Sequence, residues 1–250
     1  MSATRTRTVC GALMGYWRWM EKRGVVAEGM ANPWERQAPG KARAKGAAEP
    51  ERAFTDNEVA ALFGGTTEGF MLDLMRFAAL TGARLEELAR LTVGMCDADV
   101  IRAPGLKGSN VSTPRDVPVH PDLAPIIAER IKGKPADAWL FPEFGDLNKH
   151  AERSGAVSKR FNRYRQEAGV HEREEGRRRS KVNFHSFRRW FATRAIAAGQ
   201  EPRIIEAVIG HKPDPSDVLM RSYVTAGQLG AKLRECVLAV KLPSDTKRGR

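Results

Sequence analysis

Two imidazoles, a guanidinium and a phenol fall in one short stretch near the C-terminal end of this chain: His185-Ser186-Phe187-Arg188, then Gly210-His211, then Tyr223. Far upstream, Thr81-Gly82-Ala83-Arg84 supplies a second guanidinium. Two arginines suit a phosphate, because each planar fork donates to two oxygens and stays charged at any working pH. An imidazole titrates near neutrality and can take the proton of an attacking phenol. A free phenol, with a pKa of about 10, is a poor nucleophile and needs such a base and an electropositive setting. Together the groups equip a site to hold a phosphodiester and attack it with tyrosine. Taken singly, each reads differently: a surface arginine, a satisfied polar histidine, a helix-end tyrosine packed on a core. The other tyrosines, Tyr16 and Tyr164, precede the histidine–arginine cluster.

The elements that would position these groups can be read locally. His185 and Arg188, three apart, share a face if the segment 184–198 is helical, with Phe187, Phe191 and Ile196 as its apolar side and Gly199 as its end. Pro202 suits the first turn of the next helix, which Gly210 stops, leaving His211 free to point into a cleft. Thr55-Asp56-Asn57-Glu58 is a capping-box pattern that opens a helix. A further helix is predicted over 67–80, with Phe70, Leu74, Phe77 and Ala78 inward and Gly82 as a left-handed stop. The helix after it, with Leu85, Leu88 and Leu91 inward, puts Arg84 at a helix start, where backbone amides favour an anion. Short extended runs at Val100-Ile101 and 117–119 flank a polar loop and predict a small hairpin with Lys107 near its tip. Helices are expected over 122–132 and 156–168, and a last one from Ala226 to Val240 with the stripe Leu229, Leu233, Val237 and Val240. Residues 171–181 are charged enough to predict an exposed loop.

Residues 9–30 read as an amphipathic helical segment with Leu13, Trp17 and Met20 at helical spacing, ended by Asn32-Pro33-Trp34. The stretch 35–50 carries Arg36, Lys41, Arg43 and Lys45 but no apolar residue larger than Ala or Pro, so it reads as a linker. Such a linker suits either a solvated tether or a segment lying along a phosphate backbone. The tail 242–250 is basic and predicted to be disordered.

Lys plus Arg number 42 against 30 Asp plus Glu, a net charge of +12 that favours a polyanionic partner through counterion release. The three cysteines, Cys10, Cys96 and Cys236, lie far apart and show no zinc spacing or disulfide framework, which fits a reducing compartment. No apolar run reaches the ~20 residues a membrane span needs. Cytosol, in association with the nucleoid, is the expected setting, with no membrane and neither metal nor cofactor.

In order along the chain these segments resemble the tyrosine recombinase (phage integrase) family, whose signature comprises TGxRxxEL, a hairpin lysine, HxxR, GH and a late tyrosine. Here they read Thr81 to Leu88, Lys107, His185 to Arg188, Gly210-His211 and Tyr223. The resemblance implies an α+β fold: a mainly helical catalytic domain, 51–241, with a small antiparallel sheet. It implies that Arg84 and Arg188 clamp the scissile phosphate with help from His211. His185 would take the proton from Tyr223, and Lys107 would protonate the departing 5′-oxygen. Glu87 would orient Arg84; on its own it reads equally as a helix-surface carboxylate. The expected partners are double-stranded DNA and three further copies of the chain, as a homotetramer on two sites.

The chain departs from the family pattern in three places. Tyr223 follows His211 by twelve residues, with Pro213 and Pro215 between them. The charged segment 171–181 looks like an insertion. Residues 1–34 resemble only the remnant of an N-terminal helical core-binding domain. The implied activity is site-specific DNA recombination through a 3′-phosphotyrosyl intermediate. The alternatives are a type IB topoisomerase-like enzyme and a DNA-binding protein of the same fold without productive recombination. The final helix is expected either to dock on a neighbouring protomer or to pack on its own domain.

Overall fold

A computed structural model of the chain describes residues 3–38, 51–65, 67–106, 114–148, 151–173, 180–211 and 226–243. It divides into two compact units, Met1–Glu49 and Pro50–Arg250.

The first unit is built on one helix, α1 (Ala3–Lys22). It starts and stops earlier than the spacing of large apolar residues predicts. The alternating Thr and Arg before Val9 contain no helix breaker, so the helix extends back to Ala3. It ends where Gly24 takes φ +69, with the amides of Arg23 and Val25 both closing on the Met20 carbonyl. Tyr16 stacks on Trp19, and the Arg23 guanidinium lies 4.6 Å from the Trp19 ring centroid. Arg36 lies in a later turn over 33–36, at φ +61. Lys41, Arg43 and Lys45 lie outside the described residues.

The second unit is mainly helical. α2 (Asp56–Gly64) begins at a complete capping box, in which Thr55 Oγ1 accepts from the Glu58 amide and Glu58 accepts from the Thr55 amide. α3 (Gly69–Thr81) is buried on nearly every side rather than along the single predicted stripe: Met71, Met75, Ala79 and Leu80 are as enclosed as Phe70, Leu74, Phe77 and Ala78. A helix apolar all round occupies the centre of a fold. α4 (Leu85–Ala89) is little more than one turn long, and Leu91 is buried just beyond it.

β1 (Val100–Ala103) and β2 (Arg115–Pro118) pair antiparallel, Ile101 opposite Val117 and Ala103 opposite Arg115. Then come α5 (Ala124–Ile131), α6 (Gly155–Glu167), α7 (Ser186–Ala197), α8 (Pro202–Ile209) and α9 (Ala226–Ala239). α3 packs on α7, while α8 and α9 pack on each other and on β2. The fold is thus α+β, mostly helical with a small antiparallel sheet, as the sequence predicts. Among the described residues no helix is long and apolar enough to cross a membrane.

The core is organised by α7. Phe187 is fully buried and meets Phe54, Phe63, Phe161 and Phe184 at ring-centroid distances of 4.8, 6.4, 5.9 and 5.6 Å. One residue of the predicted apolar side is wrong: Ile196 is 59% exposed. Trp190 and Ala195 take the inward positions, and Trp190 donates Nε1 to Asp56 Oδ1 at 2.8 Å.

The C-terminal half of α9 packs on its own domain, where Cys236, Val237 and Val240 are fully buried and Leu233 lies against the same core. The charged segment 171–181 is also less free at its ends than its composition suggests. Glu172 pairs with Arg52 and Lys181, and the Ser180 hydroxyl donates to the Glu172 carbonyl. Residues 174–179 lie outside the described residues, as do 244–250 of the basic tail.

Candidate active site

Thr81-Gly82-Ala83-Arg84 is a tightly built corner. The buried Thr81 hydroxyl donates to the Phe77 carbonyl and accepts from the Ala83 amide, closing the end of α3. Gly82 takes φ +62, a left-handed conformation that costs a residue with a Cβ. A Cβ there would also stand 2.7 Å from Ile209 Cγ2. The corner delivers Arg84 to the N-cap of α4 in extended conformation, with its amide donating to Glu87 Oε2 at 2.8 Å.

A second local device sets the histidine and the other arginine. The Asn183 side-chain carbonyl accepts from the His185 amide at 2.9 Å, and Ser186 Oγ accepts from the Asn183 amide at 3.0 Å. This reciprocal pair fixes the first turn of α7. Arg188 then reaches inward and is only 5% exposed. Its Nη1 donates to the carbonyls of Gly82, at 3.0 Å, and of Ile209. α8 ends at Gly210 in left-handed conformation, and His211 follows, exposed, with its amide on the Glu206 carbonyl. His211 therefore stands two residues beyond the carbonyl that holds Arg188.

Arg84 and His185 line the same cleft of about 410 Å³, with Glu51, Leu106, Ser154 and Asn183 among its other walls. Two guanidinium donors are unusual. Nη1 of Arg84 and Nη2 of Arg188 are both buried and have no hydrogen-bond partner among the described residues. Buried guanidinium N–H groups are normally paired, so two open ones side by side in charge mark a place for an anion. Burial, then the Arg84 charge, lowers the Arg188 guanidinium to about 9, which leaves it protonated at neutral pH. Burial, followed by the charges of Arg189, Arg188 and Arg84, pushes the His185 imidazole down to about 4. His185 is thus neutral at pH 7, the form in which it can accept a proton.

Glu87 is 1% exposed, so it is no surface carboxylate. Its Oε1 and Oε2 each accept from Arg115 at 3.0 Å, and Arg84 Nη1 stands 3.7 Å from Oε1. Arg115 was not among the residues singled out from the sequence. The signal for it was the alternation of β2: Val117 and Val119 point inward, which places residue 115 on the same face. Lys107 and Tyr223 lie outside the described residues. Tyr164 is buried and its hydroxyl donates to the Leu62 carbonyl, which gives it a packing role. No group of three or more His, Cys, Asp or Glu that could hold a metal occurs among the described residues.

The mostly helical second unit with its two-stranded antiparallel sheet has a fold found among solved integrase structures. The sequence model described as the phage integrase family matches residues 56–224, and the chain belongs to that family. Among solved structures it is similar to the integrase from mycobacterium phage Brujita, with 20% identity, a TM-score of 0.55, and coverage of 100% of this chain and 75% of that one. It is similar to the Tn1549 transposon integrase in complex with circular intermediate DNA, with 17% identity, a TM-score of 0.58, and coverage of 93% and 79%. A lambda integrase dimer bound to a COC′ core site gives 17% identity, a TM-score of 0.54, and coverage of 85% and 74%. No curated protein matches the chain by sequence.

Proposed function

We propose that this tyrosine recombinase family member breaks and rejoins double-stranded DNA at specific sites through a 3′-phosphotyrosyl intermediate. The observation that carries the reading is the pair of buried donors without a hydrogen-bond partner among the described residues, Arg84 Nη1 and Arg188 Nη2, with Arg84 at a cleft that it shares with the neutral His185 imidazole. In this reading the two guanidiniums hold the non-bridging oxygens of the scissile phosphate, and their charge stabilises the pentacoordinate transition state. His185 takes the phenolic proton as Tyr223 attacks phosphorus. Lys107 protonates the departing 5′-oxygen, and His211 donates to a phosphate oxygen. Glu87, with both oxygens held by Arg115, orients Arg84 from behind at 3.7 Å.

The phosphotyrosyl bond conserves the energy of the phosphodiester, so religation by the returning 5′-hydroxyl needs neither ATP nor a metal. The similar lambda and Tn1549 integrases are bound to DNA in their solved structures, and a lambda integrase tetramer is bound to a Holliday junction. By extension we place four copies of this chain on two duplexes in the nucleoid, with Arg36, Lys41, Arg43 and Lys45 along the phosphate backbone.

A nicked suicide duplex carrying the cognate site tests the reading. Wild type is expected to form a covalent protein–DNA adduct, and Tyr223→Phe to form none. Specific binding without an adduct would leave a DNA-binding protein of this fold. Relaxation of any supercoiled plasmid, whatever its sequence, would point to topoisomerase action instead.

A further inference from the structure

Arg115 opens β2 and points to the core, with only 7% of its side chain exposed. Its Nη1 and Nη2 take both oxygens of Glu87 at 3.0 Å, and its Nε donates to the Val208 carbonyl at 2.6 Å. The guanidinium also lies against Gly210 so closely that a Cβ there would stand 2.4 Å from Nη1. With its fork engaged and its side chain enclosed, Arg115 has no face left for a substrate. It nevertheless touches three parts of the site: α4 through Glu87, the end of α8 through Val208, and the turn that presents His211 through Gly210.

Two arginines compete here for one buried carboxylate. A carboxylate removed from water binds a guanidinium best through two parallel hydrogen bonds. Arg115 has that geometry with Glu87, whereas Arg84 remains 3.7 Å from Oε1 with Nη1 unpartnered among the described residues. We propose that Arg115 is a positioning residue that saturates Glu87 and so leaves the Arg84 guanidinium available to the substrate phosphate. Without it, the buried Glu87 carboxylate would lose its bidentate partner while Arg84 stands 3.7 Å away, and Arg84 would close onto it. The same side chain braces the glycine turn before His211, so one residue sets two phosphate-directed groups. This inference rests on the phosphodiester reading above.

The test compares Arg115→Met, Arg115→Lys and the double variant Arg115→Met with Glu87→Gln, all in the full chain. Thermal melts establish which of them fold. Single-turnover cleavage of the nicked duplex is expected to fall about 10²-fold in Arg115→Met, the scale on which small misplacements of a reacting site act. Affinity for the same duplex should change little. Arg115→Lys, which keeps the charge but loses the fork, should fall between. The double variant should recover part of the rate, because a neutral amide no longer draws Arg84 away; a purely structural role predicts no such rescue. In a crystal structure of free Arg115→Met, Arg84 should stand within hydrogen-bond distance of Glu87.

A wild-type cleavage rate in folded Arg115→Met, or an Arg84 still held off Glu87 in its structure, overturns the inference. Should Arg115→Met not fold, Arg115→Lys and the double variant decide it by the same two measurements. If wild type itself forms no adduct, the phosphodiester reading fails, while the position of Arg84 in the variant structure still decides the role of Arg115.

Discussion

Arg188 hangs from Gly82: its Nη1 donates to the Gly82 carbonyl at 3.0 Å, joining two segments that are 106 residues apart in the chain. The glycine is therefore held by conformation, by packing and by the arginine at once. Gly82→Ala must place a Cβ at φ +62, 2.7 Å from Ile209 Cγ2 and 3.1 Å from Phe191 Cδ1. The left-handed conformation and the overpacking together should cost about 2–4 kcal/mol. Urea denaturation measures this directly, and a loss below ~1 kcal/mol would mean that the corner relaxes without strain.

His185 makes the protein's stability depend on pH in a defined direction. Its imidazole titrates near 4 in the folded chain against an ordinary value of 6.5, so the unfolded chain binds the proton more readily. The stabilising contribution is complete above pH 6.5 and is lost as pH falls through that value toward 4. His185→Gln should flatten stability across this window, measured by melts at stepped pH. In the DNA-bound protein a phosphate anion offsets the arginines, so the imidazole Cε1–H resonance should titrate at higher pH on addition of duplex.

Phe187 sits where four other phenylalanines converge. Phe187→Ala should cost about 3–5 kcal/mol, because a cavity enclosed by Phe54, Phe63, Phe161 and Phe184 can close only partly. The denaturant midpoint should fall with an unchanged slope. A much smaller loss would show that the aromatic cluster repacks.

Tyr164 separates a structural tyrosine from the proposed nucleophile. Tyr164→Phe removes the hydroxyl bonded to the Leu62 carbonyl and should destabilise by about 1–3 kcal/mol. Adduct formation on the suicide duplex should nevertheless persist. An adduct abolished in a folded Tyr164→Phe protein would move the attacking phenol away from Tyr223.

The last helix should matter to the single chain. Val237 is fully buried against its own domain, so Val237→Ala should lower monomer stability by about 2 kcal/mol, from lost transfer energy plus a cavity. Dilution series of melts check this. A stability loss seen only at concentrations that support assembly would assign the contact to a neighbouring protomer.

Most of the elements that carry the candidate residues were legible because their signals are local. Capping of α2, the left-handed stop at Gly82, the first turn of α7 and the Gly210 end of α8 each depend on a few neighbouring residues, and spacing reveals them. What escaped depends on partners distant in sequence. The burial of Glu87 falls outside the apolar spacing of Leu85 and Leu88, and it is satisfied in part by Arg115, 28 residues on. Arg115 itself lies in a four-residue strand, too short for alternation to outweigh the expectation that arginine is solvated. On α7 the inward position belongs to Ala195 while Ile196 faces water, and a pattern of large apolar residues passes over an alanine.

The proposed anion seat is closed by contacts among Gly82, Glu87, Arg115, Arg188, Val208 and Ile209, all joined across long stretches of chain. Long-range closures of this kind form late, since loop entropy must be overcome before they stabilise anything. At a synthesis rate of roughly 5–20 residues per second, the early basic segments emerge seconds before the carbonyls that orient Arg188 exist. On the proposed chemistry, a nascent or prematurely terminated chain carries charge enough to touch DNA but no seat in which to cut it.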